Sequence, residues 1–78
     1  MAAKELVEYV ARSLVDNPDD VKVTEQEERG RIIIHLEVAE SDYGKVIGKG
    51  GRIAQAMRAM LKVSAVRANE YASLEIGD

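Results

Sequence analysis

Val46-Ile47-Gly48-Lys49-Gly50-Gly51-Arg52-Ile53 decides how this chain folds and what it can hold. Three glycines within four positions interrupt a helix, and each permits backbone dihedrals that other residues resist. The residues on both sides are nevertheless patterned for helices. Before the stretch, Ser41 and Asp42 are capping residues for a short helix over Tyr43–Ile47, which Gly48 would end. After it, Ile53, Met57, Met60, Leu61 and Ser64 share one stripe of a longer helix over 52–66, with Arg52, Gln55, Arg58 and Lys62 largely off it. The stretch is therefore a glycine loop between two helices. With no side chain on Gly48, Gly50 or Gly51, backbone there can approach a ligand closely. The second helix also begins at the loop, with free N–H groups and the positive end of its dipole. Lys49 and Arg52 add full charges, and the combination predicts a clamp for a phosphate backbone.

Two other glycine motifs bind phosphate, and the spacing excludes both. A P-loop places four residues between its first Gly and a Gly-Lys-Ser/Thr element. Here three residues separate Gly44 from Gly48, and Gly50 follows Lys49 where a hydroxyl residue should hold magnesium. A dinucleotide fingerprint begun at Gly48 is matched at Gly50. Ile53 then occupies the third glycine position, and the motif would follow a helix rather than a strand.

Outward from the loop, the remaining elements follow from apolar periodicity. Leu6, Val7, Val10 and Leu14 have helical spacing over residues 3–15, and Asn17-Pro18-Asp19-Asp20 stops that helix near Asp16. Val21-Lys22-Val23-Thr24 alternates as a strand. A second, β-branched strand runs from Ile32 to Val38, with Ile32, Ile34, Leu36 and Val38 on one face. The polar run Glu25-Gln26-Glu27-Glu28-Arg29-Gly30 reads as a solvated hairpin connection between them. Tyr71–Ile76 is a last strand with Ala72, Leu74 and Ile76 inward. The order α-β-β-α-α-β, with a right-handed crossover to the last strand, predicts an α+β fold: a three-stranded mixed sheet with three helices on one face.

Composition narrows the function. Seventy-eight residues suit a single domain spanning 1–78, and the 46% hydrophobic content, without Phe or Trp, predicts an aliphatic core. A domain this small buries only about 60% of its unfolded surface, so pairing with a second chain is expected. The absence of Cys excludes a disulfide framework, a Cys-ligated metal and a Cys nucleophile. No apolar run exceeds three residues, which predicts a soluble protein without a membrane span or export signal, and the lack of Cys fits a reducing cytoplasm. The net charge of −3 conceals an uneven distribution. Residues 43–69 hold six basic residues (Lys45, Lys49, Arg52, Arg58, Lys62 and Arg67) and no acidic one, a balance of +6. The remainder carries five basic and fourteen acidic residues, a balance of −9. Phosphate meets a local patch rather than a total, so the basic segment matters more. The adjacent carboxylates Asp19-Asp20 and Glu27-Glu28 lie in expected turns. His35, the single histidine, reads as an exposed strand residue. No metal set or catalytic constellation emerges, so neither enzyme activity nor a cofactor is expected.

The loop and its flanks resemble the signature of KH domains, in which a GxxG loop between two helices clamps about four nucleotides of single-stranded nucleic acid. The helix-first order matches the type II variant. Including Tyr43-Gly44-Lys45 before the loop and Ile53-Ala54-Gln55-Ala56-Met57-Arg58 after it, nearly the whole chain is similar to the small single-domain bacterial KhpA family. Many KH domains place a large aliphatic residue where this chain has Ala54; the small bacterial family does not. The resemblance implies backbone contact by Gly48, Lys49, Gly50 and Gly51, phosphate charge from Lys45 and Arg52, and a groove lined by Val46, Ile47 and Ile53. It further implies single-stranded RNA as partner, a homodimer, pairing with a larger KhpB-like KH protein, and a role as RNA chaperone or post-transcriptional regulator in peptidoglycan homeostasis, cell shape and cell length. A different class of function stays open: an assembly module whose main ligand is a protein, with RNA binding incidental.

Overall fold

Val7 and Ala11 lie one helical turn apart, and their burial seats helix α1 (Ala3–Leu14) on the sheet, with Leu6 and Val10 packed beside them. The computed structural model describes residues 3–67 and 71–77, apart from the side chains of Ser64 and Val66. A last bond from the Val15 N–H to the Ala11 carbonyl closes α1, and a short 3-10 turn, Pro18–Asp20, redirects the chain. Pro18 stands at the start of that turn, where its missing N–H is not needed.

Strands β1 (Lys22–Glu28) and β2 (Arg31–Glu37) pair antiparallel from Lys22 opposite Glu37 to Glu28 opposite Arg31. The expected six-residue connection is thus a correction: β1 continues through residues 25–28, and only Arg29 and Gly30 turn. Both sit at positive φ, 52° and 77°, as the primed two-residue turns that match strand twist require. Periodicity missed the extension because residues 24–28 are all exposed. This outer half of an edge strand is held by backbone bonds to the isoleucine run and needs no apolar face. Its glutamates also discourage pairing with another sheet edge.

Helices α2 (Tyr43–Ile47) and α3 (Arg52–Arg67) lead to β3 (Tyr71–Ile76), which lies parallel to β2 from Arg31 opposite Tyr71 to Leu36 opposite Ile76. The sheet order is β1-β2-β3, and the α-β-β-α-α-β sequence of elements is as expected. Val23, Ile34, Leu36 and Leu74 meet Val7, Ala11, Val46, Met57 and Leu61 in one core.

The buried stripe of α3 departs from the expected one. Met57 and Leu61 are buried, but Ala54 and Ala65 join them, Ile53 is half-buried, and Met60 is 40% exposed. The buried face of α3 runs through Ala54, Met57, Leu61 and Ala65, and Met60 lies to the outside of it. The place of Ser64 on the stripe lies outside the described residues. His35 is also less exposed than expected. It is half-buried, with Nε2 hydrogen-bonded to the Gly77 carbonyl and Nδ1 3.9 Å from the Glu37 carboxylate. No helix among the described residues is long and apolar enough to cross a membrane.

Candidate nucleic-acid interface

Gly48 ends α2: its N–H donates to the Gly44 carbonyl at 2.9 Å, and the chain leaves with φ 79° and ψ 170°. Side-chain-bearing residues avoid that conformation. A Cβ on Gly48 would also stand 2.7 Å from Ile53 Cγ1 and 3.0 Å from the Ile53 backbone nitrogen. The first turn of α3 therefore folds back against the loop and holds it from beneath.

Above, the loop is bare. Lys49–Gly51 forms a single 3-10 turn, closed by the Gly51 N–H on the Gly48 carbonyl at 3.1 Å, which runs into α3 at Arg52. Gly50 has φ 66° and ψ 17°, and at neither Gly50 nor Gly51 would an added Cβ meet any atom within 4 Å. The N–H groups of Lys49 and Gly50 precede the first bond of the turn, and such groups at a helix start need an outside acceptor. Lys49 and Arg52 are exposed on either side.

The other expected site residues divide. Ile47 is 39% exposed and Ile53 half-buried, both beside the loop. Val46 is completely buried, so it supports the loop from the core and presents no side-chain surface to a ligand. Lys45 lies one helical turn before the loop with its ammonium 3.1 Å from Asp16 and 3.6 Å from Asp42. The charge expected at phosphate is paired with two of the protein's own carboxylates, on a side chain that stays 43% exposed. Its bond to Asp16 and that carboxylate's charge, with help from Asp42, raise the Lys45 pKa above 10.5.

Asp42 has the position of a helix cap, but its side chain makes no capping bond to α2. The fully buried carboxylate reaches across to the turn after α1. There Oδ1 accepts the Asp16 N–H at 3.2 Å, and Oδ2 accepts the Asn17 N–H at 3.1 Å and the Asn17 side-chain amide at 3.0 Å. Burial pushes the carboxyl pKa up. The bonds from Asn17 and the Asp16 N–H, with the Lys45 charge, outweigh that and hold it below 3.8.

Sequence reasoning also left out the flank of α3 that faces β3. Arg58 Nη2 donates to the Leu74 carbonyl at 3.3 Å, on the outer strand of the sheet. Between helix and strand lies a cleft of about 430 Å³, with Leu61, Ala65 and Leu74 in its apolar lining and Arg58, Lys62 and Tyr71 also bordering it. Tyr71 is 74% exposed. Arg58 and Lys62 stand about 9 and 15 Å along the helix from Arg52, given 1.5 Å per residue. The two basic residues were visible in the charge count, but only the packing of α3 on β3 shows that they border one cleft.

The family described as KhpA/KhpB, KH domain, matches residues 4–76. The chain belongs to this KH-domain family. Among its relatives, the RNA-binding protein KhpA of Clostridium perfringens is 51% identical over 73 residues, 94% of this chain and 97% of that protein. KhpA of Treponema pallidum is 49% identical over 75 residues, covering 96% and 94%. Of solved structures, Aquifex aeolicus Era bound to GDP and aluminium fluoride superposes with a TM-score of 0.55 at 21% identity. That likeness covers 95% of this KH domain but only 29% of the Era chain, and it concerns the fold alone. Among the described residues, the basic stretch of the KH domain is continuous with its GxxG loop, and no cluster of three or more potential metal ligands forms.

Proposed function

We propose that this KH domain binds single-stranded RNA, with the backbone held at residues 48–51 and the following bases laid along the cleft between α3 and β3. The observation that carries the reading is the bare upper surface of Gly50 and Gly51 at the mouth of α3, between the exposed charges of Lys49 and Arg52. A phosphate can approach the backbone N–H groups there without meeting a side chain. Ile47 and Ile53 offer apolar surface beside the loop, while Arg58, Lys62 and Tyr71 continue the path with charge and an aromatic ring suited to stacking. Relatives with 49–51% identity are named RNA-binding proteins, which supports the same reading. The chemistry is recognition and not catalysis.

The finer role follows the resemblance to KhpA: a cytoplasmic RNA chaperone or post-transcriptional regulator acting as a homodimer, or with a larger KhpB-like partner, in envelope and cell-length control. A clamp of about four nucleotides is a small footprint. Two linked domains bind far more tightly than one, so pairing serves affinity as well as stability. One feature favours contact with another chain and keeps the assembly-module reading in view. Ala56, Ala59, Met60 and Val63 form an exposed apolar stripe on the outer side of α3, with Val63 62% exposed.

The test is fluorescence anisotropy of labelled single-stranded RNA at two salt concentrations, with the wild type and a Lys49→Asp, Gly50→Asp double variant. Asp tolerates the left-handed backbone at position 50, so the variant folds, which circular dichroism checks. The wild type should bind with a log–log salt slope near about −2, for roughly three phosphates, and the variant should lose binding. Equal binding by the two proteins would move the partner-protein reading to the front.

A further inference from the structure

Asp42 is the fully buried charged side chain of the described residues, and it lies immediately before α2. A buried carboxylate is costly unless its lone pairs are filled and its charge is matched. Here three N–H donors and an ammonium do both. An apolar residue of similar size would fill the space without that demand, so the carboxylate must be explained by what it holds together.

What it holds is the direction of α2. This helix has only five residues, and Val46 is its one fully buried side chain. Val46 lies near the end of the helix and Tyr43, at its start, packs on the core only in part, so apolar contacts alone set the tilt of so short a helix weakly. Asp42 supplies a second anchor at the other end, tied to the backbone of Asp16 and Asn17, which α1 and the Pro18–Asp20 turn keep in place. Lys45 closes the arrangement by bridging Asp42 and Asp16. The far end of the same rigid helix is Gly48, about 9 Å along the axis from Asp42. A change of tilt would move the loop relative to Ile53, against which Gly48 leaves no room for a Cβ.

We propose that Asp42, through its bonds to Asp16 and Asn17, is the positioning residue of the clamp: it sets the angle of α2 and hence where residues 48–51 stand at the mouth of α3. Asn17 is its principal partner, and Lys45 serves this latch in preference to the RNA phosphate. The inference rests on the proposed RNA clamp for its consequence in binding. The position of the loop can be read without any RNA.

Three folded proteins decide it: the wild type, Asn17→Ala, which removes one side-chain bond and leaves the backbone donors intact, and Asp42→Asn, which leaves one of those donors facing an amide. The amide NMR signals of Gly48, Gly50 and Gly51 are recorded without ligand, and anisotropy with single-stranded RNA is measured at two salt concentrations on each fully folded protein. Both variants should shift the loop signals. Affinity should fall about threefold for Asn17→Ala and about tenfold or more for Asp42→Asn, in keeping with loss of hydrogen bonds to a charged group. The salt slope should become shallower as the loop engages fewer phosphates. If Asp42→Asn does not fold, Asn17→Ala decides alone. Variants that melt earlier yet keep wild-type loop signals, affinity and slope would reduce Asp42 to a stabilising residue and overturn the proposal. Shifted loop signals with no RNA binding even by the wild type would instead uphold the positioning role and overturn the RNA-clamp reading.

Discussion

Gly48 and Gly50 both have positive φ, but a side chain would meet different surroundings at each. At Gly48 the backbone lies in a region that only glycine populates, and a methyl group would press on the side chain and backbone nitrogen of Ile53. At Gly50 the backbone is ordinary left-handed, and the space is open. Gly48→Ala should therefore destabilise the protein by about 2–4 kcal/mol, from backbone strain and overpacking together. Gly50→Ala should lose only about 1 kcal/mol. Urea denaturation that compares midpoints at constant m-value measures both, and equal losses would show that Ile53 does not brace the loop. The two glycines differ in what a side chain would meet, a difference that the spacing of the motif does not reveal.

At the scale of elements, the β1–β2 hairpin carries an avoidable strain. Arg29 is the one non-glycine among the described residues at positive φ, in the first central position of a turn that favours Asn-Gly. Arg29→Asn should stabilise the protein by about 0.5–1 kcal/mol, because Asn tolerates the left-handed conformation that Arg resists. For a chain of this size that is a rise in Tm of about 2–8 °C by calorimetry. An unchanged or lower Tm would mean that the Arg29 side chain makes a compensating contact. The two helices flanking the loop show the opposite balance. Their boundaries came out close to expectation, since Tyr43–Ile47 is cut off by Gly48 and α3 starts at Arg52. Glycine stops a helix by a local mechanism, and local mechanisms are legible in sequence.

At the scale of the whole molecule, the outer half of β1 exposes Glu25, Glu27 and Glu28, and α3 exposes Met60 and Val63 on a different face from buried Met57 and Leu61. A stripe of this kind on a domain with so small a core suits burial against a second copy. On the proposed homodimer, Met60→Glu with Val63→Glu should abolish self-association in sedimentation velocity and make Tm independent of concentration. The affinity of one domain for a short RNA should stay unchanged. A wild type that is monomeric at every concentration tested would remove the homodimer from the proposal and leave a heterologous partner as the stripe's occupant.

The sequence by itself determined the order of elements, the mixed sheet, the loop between two helices and the local excess of positive charge. Each follows from neighbours within a few positions: a period of two or 3.6, a glycine, a proline, a run without acids. Only the tertiary structure decided the rest. Asp42 looked like a helix cap because Ser-Asp before a helix is a cap pattern. Its partners are 25 and 26 residues away, and nothing local announces a bond across that distance. Lys45 looked free for phosphate until folding brought Asp16 beside it, and Val46 looked like groove lining until α2 settled on the core. Arg58 became part of a cleft only when α3 packed along β3. Backbone conformation is governed mainly by short-range sterics. The environment of a side chain is governed by whatever the completed fold puts against it, and that is why the loop was legible while its supports were not.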